Sequence, residues 1–309
     1  MEEKSKTGIY TNMLFVAAAA LLCCALWGSA TPFIKIGYEL LLPERNVAST
    51  ILFAGIRFTL AGVLTVLIYS VARRKFLYPK KENLGKVATI SAFQTVLQYI
   101  FFYIGLANTT GVKGTIISGS NAFFAILIAS LLFKQEKLTA KKILGCLVGF
   151  AGIIVVNLKG LDLNMNLLGD GFVLFSAISY AVSSVLMKRY SKNEDPVVLS
   201  GYQFVMGGLF MVLAGLLFGG RVVVCSGAGL AVLVYLSFLS AVAYALWGIL
   251  LKHNPVSRVT IFSFMIPVFG VLLSQLLLTE QSNVSPLNLL ITLVLVCAGI
   301  LILNAKKEK

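Results

Sequence analysis

Arg57 is the residue of this chain whose type and position carry the clearest chemistry. It lies about ten residues into a long apolar stretch, where a charged side chain is costly in lipid and faces a partner or a cavity. A guanidinium can hold a carboxylate or phosphate through two parallel hydrogen bonds. Arg57 therefore predicts either an anchor for an anionic group of a substrate or a structural contact with another helix.

Polar and aromatic side chains recur at helical spacing in other apolar stretches. Gln94 and Gln98 are four residues apart and share one face of a helix, and Tyr244 and Trp247 form a similar stripe later in the chain. Such a stripe is expected to face the protein interior, where it lines a substrate cavity or supplies hydrogen bonds between helices. The predicted substrate-binding residues are Arg57, Trp27, Gln94, Gln98, Ser118, Asn121, Tyr180, Tyr244 and Trp247.

Two prolines and two lysines predict places where helices bend or close. Pro32 removes one backbone hydrogen bond and crowds the preceding turn, which favours a bent first helix, and Pro267 is a matching weak point. Lys35 and Lys188 lie near predicted helix ends on opposite sides of the membrane. They would either snorkel to the interface or close a gate. These four residues are our predicted gating residues.

The composition indicates that all these residues lie in a membrane protein. Hydrophobic residues make up 58% and charged residues 12% of the 309 positions, whereas a soluble domain has about 25% charged residues. A helix needs about 20 apolar residues to cross the hydrocarbon. The qualifying stretches are 13–37, 48–71, 86–107, 112–133, 140–158, 168–188, 197–218, 228–250, 258–279 and 286–304.

The basic residues predict the orientation of these helices. With a cytoplasmic N-terminus, twenty of the 26 Lys and Arg residues fall in cytoplasmic segments, and only Arg45, Lys113, Lys159 and Arg221 fall outside. Cytoplasmic loops are enriched in Lys and Arg, so we expect a multi-pass plasma-membrane protein with both termini in the cytoplasm. Because the charge lies in gaps between apolar stretches, the net charge of +14 does not point to nucleic acid.

The chain also contains an internal repeat. Residues 27–35 and 180–188 both begin with an aromatic residue, continue with small and hydroxyl residues and end with lysine, and residues 54–58 resemble residues 200–204. Since each half has an odd number of helices, the second half must enter the membrane from the opposite side. This predicts an all-α, ten-helix fold of two inverted-topology five-helix repeats with a substrate site between them. The predicted repeats are 13–158 and 167–304.

Small residues suggest packing contacts. Gly145 and Gly149 have the spacing of a helix-packing motif, either within the chain or between chains. The five cysteines lack the spacing of a metal site or a disulfide framework, and we expect buried thiols. They are Cys23, Cys24, Cys146, Cys225 and Cys297.

Several short motifs resemble one family in their order along the chain. They are Trp27-Gly28 with Lys35, Arg57-Phe58, Gly105-Leu106-Ala107, Pro267-Val268-Phe269, Leu276-Leu277-Leu278-Thr279-Glu280 and the Ala-Gly-Ile triplets at 151–153 and 298–300. With them the chain resembles the drug/metabolite transporter superfamily, in particular its EamA branch. Ala122-Phe123-Phe124 departs from the pattern, because it lacks a counterpart of Pro267. The resemblance implies carriage of small metabolites, often amino-acid export, by alternating access.

Alternative functions stay open at this stage. Sugar nucleotides, purines or drug-like cations are the alternative substrates, and exchange, facilitated diffusion and proton antiport are the alternative modes of coupling. A channel or an intramembrane enzyme is the alternative from another class, but the one histidine, His253, lies beside a loop. We expect no enzymatic activity, no cofactor and no metal. The expected partners are a small-molecule substrate and the lipid bilayer, with the chain as a monomer or weak homodimer.

Overall fold

The computed structural model describes residues 8–158, 164–224, 226–277 and 285–305. Within these ranges no β-strand occurs, nine helices are long and apolar enough to cross a membrane, and one further helix, α5, has 17 residues. The predicted all-helical membrane fold is thus confirmed. The helices are α1 (Met13–Leu41), α2 (Val47–Ala72), α3 (Lys81–Ala107), α4 (Gly111–Leu132), α5 (Ala140–Val156), α6 (Leu167–Tyr190), α7 (Pro196–Leu217), α8 (Gly227–His253), α9 (Val256–Leu277) and α10 (Pro286–Asn304).

Short polar residues determine where most of these helices begin. The first N–H groups of a helix lack intrahelical partners, and a side-chain cap stabilises them by about 0.5–2 kcal/mol. Such caps precede α1, α2, α4, α6, α7, α8 and α10, and they are Asn12, Asn46, Thr110, Asn166, Asp195, Ser226 and Ser285. The predicted stretches match the observed helices closely, although α1 continues past residue 37 to Leu41.

The outer surface of the helix bundle is apolar enough to face the hydrocarbon core of a membrane. Large apolar side chains such as Leu144, Leu209, Phe210 and Leu213 are exposed on outward helix faces. A water-soluble protein rarely exposes so much contiguous apolar surface, whereas lipid tails are as apolar as leucine. Cys297 is exposed on α10, contrary to the expectation of burial, because this outer face accepts a small apolar side chain.

Glycines allow two pairs of helices to pack backbone against backbone. A Cβ atom at Gly62 of α2 would lie 2.5 Å from the carbonyl oxygen of Gly201 in α7. A Cβ atom at Gly299 of α10 would lie 2.5 Å from the Gly145 oxygen and 2.7 Å from the Gly149 nitrogen of α5. The motif at Gly145 and Gly149 therefore packs within the chain.

Helix contacts between the halves occur in equivalent pairs. If each helix of one half is replaced by its counterpart in the other half, the same set of contacts results. Counting helices from the start of each half pairs α1 with α6, α3 with α8 and α4 with α9. In the structure α1 packs against α8 and α9, while α6 packs against α3 and α4. The counterparts α2 and α7 pack against each other, as do α5 and α10. This exchange relation is what two inverted repeats produce, and it places the central helices around one interior.

The structure places three more of the cysteines, whereas several other residues named above lie outside the described residues. Cys23, Cys24 and Cys146 are buried free thiols, as expected. Cys225 and Glu280 lie outside the described residues, together with Lys159 and the lysines near both termini.

Candidate functional site

Arg57 lies near the middle of α2 and is almost completely buried. It is ten residues beyond Val47, or about 15 Å along the helix axis at 1.5 Å per residue. The side chain is 3% exposed, and its guanidinium carbon lies 4.3 Å from the Phe58 ring centroid and 6.0 Å from that of Tyr99. None of the ion pairs among the described residues includes Arg57, and its Nε atom has no hydrogen-bond partner there. The guanidinium is thus equipped to receive an anion.

Several tyrosines lie in the same part of the interior as Arg57. The hydroxyls of Tyr99 on α3 and Tyr244 on α8 form a hydrogen bond of 2.9 Å. The side chains of Tyr38 on α1 and Tyr103 on α3 interact with each other and with the charge of Arg57. Sequence analysis did not select Tyr38, since a single tyrosine near a helix end has no distinctive pattern. These tyrosines therefore add neutral hydrogen-bonding groups to the interior that contains Arg57.

Eight aromatic rings form a connected group beside Arg57, which we call the central aromatic cluster. Trp27 lies 5.0 Å from both Tyr244 and Trp247, measured between ring centroids. The indole N–H groups of Trp27 and Trp247 are buried and have no acceptor within the described part of the protein. The cluster therefore combines flat apolar walls with unpaired donors, and it draws on both halves. Its members are Trp27, Phe58, Tyr99, Phe102, Tyr103, Phe204, Tyr244 and Trp247.

Gln94 and Gln98 lie in α3 on the interior side of the helix. Gln94 is 3% exposed and Gln98 is half-buried, and the side-chain oxygen of each has no hydrogen-bond donor among the described residues. Here α3 adopts π-helical geometry over Ala92–Leu97, and such segments are frequent at functional sites. Both amide oxygens can therefore accept a further hydrogen bond inside the bundle.

The counterpart helices α4 and α9 are both irregular near the interior. In α4 the α-helical segments Gly111–Gly119 and Asn121–Leu127 meet at Ser120, and α9 contains a 3₁₀ turn over Ile261–Phe264. The Ser263 hydroxyl donates to the Asn121 side-chain oxygen at 3.1 Å, so the two irregular regions contact each other. In inverted-repeat transporters, interrupted helices mark the substrate site.

Other predicted binding residues occupy less central positions. Tyr180 is 6% exposed and packs in the same core as Phe58, Tyr103 and Tyr244. Ser118 is half-buried on α4 and has no contact with the central aromatic cluster among the interactions of the described residues. The structure thus gathers Arg57, Trp27, Tyr180, Tyr244 and Trp247, places Asn121 at the helix interruptions, and leaves Ser118 apart.

Comparison with known proteins identifies the family to which this architecture belongs. The model of the EamA-like transporter family matches residues 14–158 and again residues 167–305. This chain belongs to the EamA-like transporter family. It is therefore a multi-pass transporter of the drug/metabolite transporter superfamily.

Individual relatives agree with this assignment. The chain is 23% identical over 287 residues to the uncharacterized transporter YvbV of Bacillus subtilis, covering 92% of this chain and 89% of that protein. It is 28% identical over 274 residues to a probable amino-acid metabolite efflux pump of Salmonella typhimurium, with coverages of 84% and 86%. A protein of known crystal structure shares the fold with a TM-score of 0.74 at 18% identity, covering 95% of this chain and 99% of that one.

The predicted gating prolines of this EamA-type transporter flank the crossing of α1 and α9. A Cβ atom at Gly28 would lie 2.6 Å from Phe269 Cβ and 2.9 Å from the Gly270 nitrogen, so the two backbones are in close contact. Pro32 follows Gly28 by about one turn, and Pro267 precedes Gly270 by a similar distance. Both prolines lie within helical segments.

The two predicted gating lysines have different surroundings. The Lys188 ammonium is half-buried and donates to the carbonyl oxygens of Leu251, at 3.2 Å, and Asn254, which joins the ends of α6 and α8. Snorkelling to the interface is therefore not its role in this structure. Lys35 is exposed and lies within α1, because that helix extends to Leu41.

A buried ion pair connects the two halves at the opposite end of the bundle. The fully buried Asp170 carboxylate, at the start of α6, lies 3.1 Å from the Lys113 ammonium of α4. It also accepts hydrogen bonds from the Thr109 hydroxyl and, at 2.8 Å, from the Asn166 N–H. Lys113 belongs to the outer end of the predicted stretch 112–133, and in the structure it lies in the first turn of α4 and is 8% exposed. Sequence reasoning missed this pair because its members are far apart in the chain.

Glu136 joins the two halves at the end of the bundle where Lys188 lies, as the Lys113–Asp170 pair does at the other end. Its carboxylate accepts hydrogen bonds from the Ser257 N–H at 3.1 Å and the Ser257 hydroxyl at 2.8 Å, and it lies 3.2 Å from the Lys142 ammonium. It therefore caps the start of α9 from the loop after α4. The Glu136 contact with Ser257 therefore joins the two halves at this end, whereas Lys188 joins two helices of the second half.

Proposed function

We propose that this chain exports small metabolites that carry a carboxylate, with amino acids as the foremost class. The observation that supports the proposal most directly is the buried Arg57 guanidinium, which lacks an acidic partner among the described residues and is surrounded by aromatic rings and hydroxyls. A group with this environment binds a carboxylate through charge-assisted hydrogen bonds. The name of the Salmonella relative, a probable amino-acid metabolite efflux pump, supports the same substrate class.

Each binding residue has a distinct role in this proposal. Arg57 holds the carboxylate, and the side-chain oxygens of Gln94 and Gln98 accept hydrogen bonds from the amino group. The side chain of the substrate lies against the rings of Trp27, Tyr180, Tyr244 and Trp247. Asn121 and Ser118 add polar groups along α4.

Transport in this proposal follows alternating access in the plasma membrane, with both termini in the cytoplasm. The two halves move about the central aromatic cluster, and the crossing of α1 and α9 near Pro32 and Pro267 bends as they do so. At the cytoplasmic end Lys188 fixes α8 to α6 and the Glu136 contact with Ser257 joins the two halves, whereas Lys35 acts at the other end. The structure described above then corresponds to a state closed at the Lys188 end.

The paired indoles favour a second candidate substrate class, the purines. Trp27 and Trp247 lie 5.0 Å apart, and their buried N–H groups have no acceptor within the described residues. A purine offers flat faces that stack on aromatic rings and ring nitrogens that accept hydrogen bonds. Such a substrate would not require a carboxylate.

Counterflow in proteoliposomes tests the proposal. Vesicles containing the purified chain are loaded with phenylalanine, and the uptake of labelled phenylalanine is compared with that of phenylalaninamide, which differs only in its carboxylate. We expect saturable counterflow of the acid in the wild type and in Arg221→Gln, which removes an exposed arginine, but not in Arg57→Gln. Equal counterflow of acid and amide, or unchanged transport by Arg57→Gln, would contradict the proposal. Counterflow of adenine alone would support the purine alternative.

A further inference from the structure

A polar cleft lies far from the central aromatic cluster, between the α2–α3 loop and the α6–α7 turn. It has a volume of about 500 Å³ and is lined by Lys80, Glu82, Asn83, Lys86 and Asn193, a size within the range of about 300–1,000 Å³ that small-ligand sites occupy. Two ammonium groups and one carboxylate line it, so its charge is positive. One wall of the cleft belongs to the first half of the transporter and the opposite wall to the second half, so a ligand here contacts both halves.

Hydrogen bonds hold the wall of this cleft in place. Asn83 is 2% exposed and donates its side-chain amide to Glu194 at 2.7 Å, and the backbone N–H of Lys80 donates to the same carboxylate oxygen at 3.3 Å. The Lys86 ammonium donates to the Asn83 side-chain oxygen at 2.6 Å. Since an ammonium has three N–H donors, Lys86 retains donors for a ligand while its position is fixed.

The acidic residues of the α6–α7 turn are already engaged. Glu194 accepts the bonds from Asn83 and Lys80, and Asp195 forms an ion pair with Arg73. By contrast, the Lys80 ammonium has no acceptor among the interactions of the described residues, and Asn193 is exposed. Besides the Glu82 carboxylate, the uncommitted groups of the cleft are the ammonium donors of Lys80 and Lys86 and the side-chain amide of Asn193.

The α2–α3 loop also has the composition of a segment at the membrane surface. Phe76 and Tyr78 are 61% and 65% exposed, and they follow the basic run Arg73, Arg74 and Lys75. Aromatic residues are enriched at the membrane–water interface, and basic segments there attract anionic lipids. This composition suits a cleft at the level of the lipid headgroups.

We propose that this cleft binds a phosphate-type anion, held by the ammonium groups of Lys80 and Lys86 and by the side-chain amide of Asn193. The phosphodiester of an anionic lipid headgroup and free inorganic phosphate share this chemistry. The bound anion links the α2–α3 loop of the first half to the α6–α7 turn of the second, and it stabilises the arrangement of the halves seen here.

Thermal unfolding of the purified full chain in neutral detergent tests this proposal. Unfolding is followed while phosphatidylglycerol, phosphatidylcholine or inorganic phosphate is titrated into the wild type and Lys80→Gln/Lys86→Gln. The control, Lys134→Gln/Lys137→Gln, removes two exposed lysines from the α4–α5 loop. At roughly 1 kcal/mol for each basic residue, the cleft variant should need about 30-fold more anion, whereas the control should match the wild type.

The titrations also identify the source of the anion. Stabilisation by phosphatidylglycerol alone assigns a lipid headgroup, and stabilisation by inorganic phosphate as well assigns a general phosphate site. Asn193→Asp adds a negative charge at an exposed position and should weaken binding in the same direction. An equal response of the cleft and control variants, or no response to any anion, would overturn the proposal.

Discussion

The hydroxyl groups of Tyr99 and Tyr244 lie 2.9 Å apart and connect the two halves of the transporter by a hydrogen bond. Tyr99 belongs to α3 and Tyr244 to its counterpart α8, so the bond joins equivalent helices of the two repeats. Both rings are members of the central aromatic cluster, and Arg57 lies beside them. The halves therefore meet at the candidate substrate site, which is where a substrate can influence their relative movement.

Removing either hydroxyl should reveal the coupling between the halves. Tyr99→Phe or Tyr244→Phe alone should lower the free energy of unfolding by about 0.5–1.5 kcal/mol, the net contribution of a hydrogen bond. The double variant should lose no more than the larger single loss, because one bond is removed in all three. Thermal unfolding measures this cycle, with the exposed Tyr78→Phe as a control. Strictly additive losses would show that the two hydroxyls do not interact.

The crossing of α1 and α9 should not accept even a methyl group. In Gly28→Ala the new Cβ atom would lie 2.6 Å from Phe269 Cβ and 2.9 Å from the Gly270 backbone nitrogen, so the helices must separate. Overpacking of this kind costs about 1–3 kcal/mol, and we expect lower stability together with reduced transport.

Gly85→Ala is the matched control for that change. Gly85 lies in α3, and a Cβ atom there would meet no atom within 4 Å. Alanine in a helix interior is favoured over glycine by about 0.5–1 kcal/mol, so Gly85→Ala should stabilise the chain or leave it unchanged. If Gly28→Ala behaved like Gly85→Ala in thermal unfolding and counterflow, the close crossing would be refuted.

The buried pair of Lys113 and Asp170 should be sensitive to the loss of one partner. Asp170→Asn leaves the Lys113 ammonium without its carboxylate, and breaking a buried pair in this way costs about 3–5 kcal/mol. Lys113→Met/Asp170→Asn removes both charges and should recover much of that loss. Comparison of the three unfolding temperatures provides the measurement. A double variant less stable than Asp170→Asn would contradict the pairing.

The sequence predicts the fold well because membrane helices leave strong local signals. Apolar stretches and polar caps such as Asn12 and Asn46 determine the helices, and the Gly145 motif indicates a packing contact. The site is only partly predictable. Arg57 stands out because a deep charge is rare, whereas Tyr38 and Asp170 acquire their importance only from residues distant in the chain.

Arg57 should contribute to binding without contributing to the stability of the empty protein. Within the described residues no carboxylate compensates its buried charge. Because an uncompensated charge is costly in a low-dielectric interior, Arg57→Gln should unfold at the same temperature as the ligand-free wild type or at a higher one. Thermal unfolding without substrate tests this. A loss of about 3–5 kcal/mol, as for one partner of a buried pair, would instead assign Arg57 a structural role.

The most direct test of the carboxylate anchor is a binding measurement on a matched pair of ligands. The dissociation constants of phenylalanine and phenylalaninamide are measured by calorimetry for the wild type, Arg57→Gln and Arg57→Lys. Hydrogen bonds to charged groups contribute about 1.5–3 kcal/mol, so Arg57→Gln should bind the acid about tenfold to 150-fold more weakly. Arg57→Lys should be intermediate, and the affinity for the amide should change little. Equal affinity of the wild type and Arg57→Gln for phenylalanine would contradict the anchor role of Arg57.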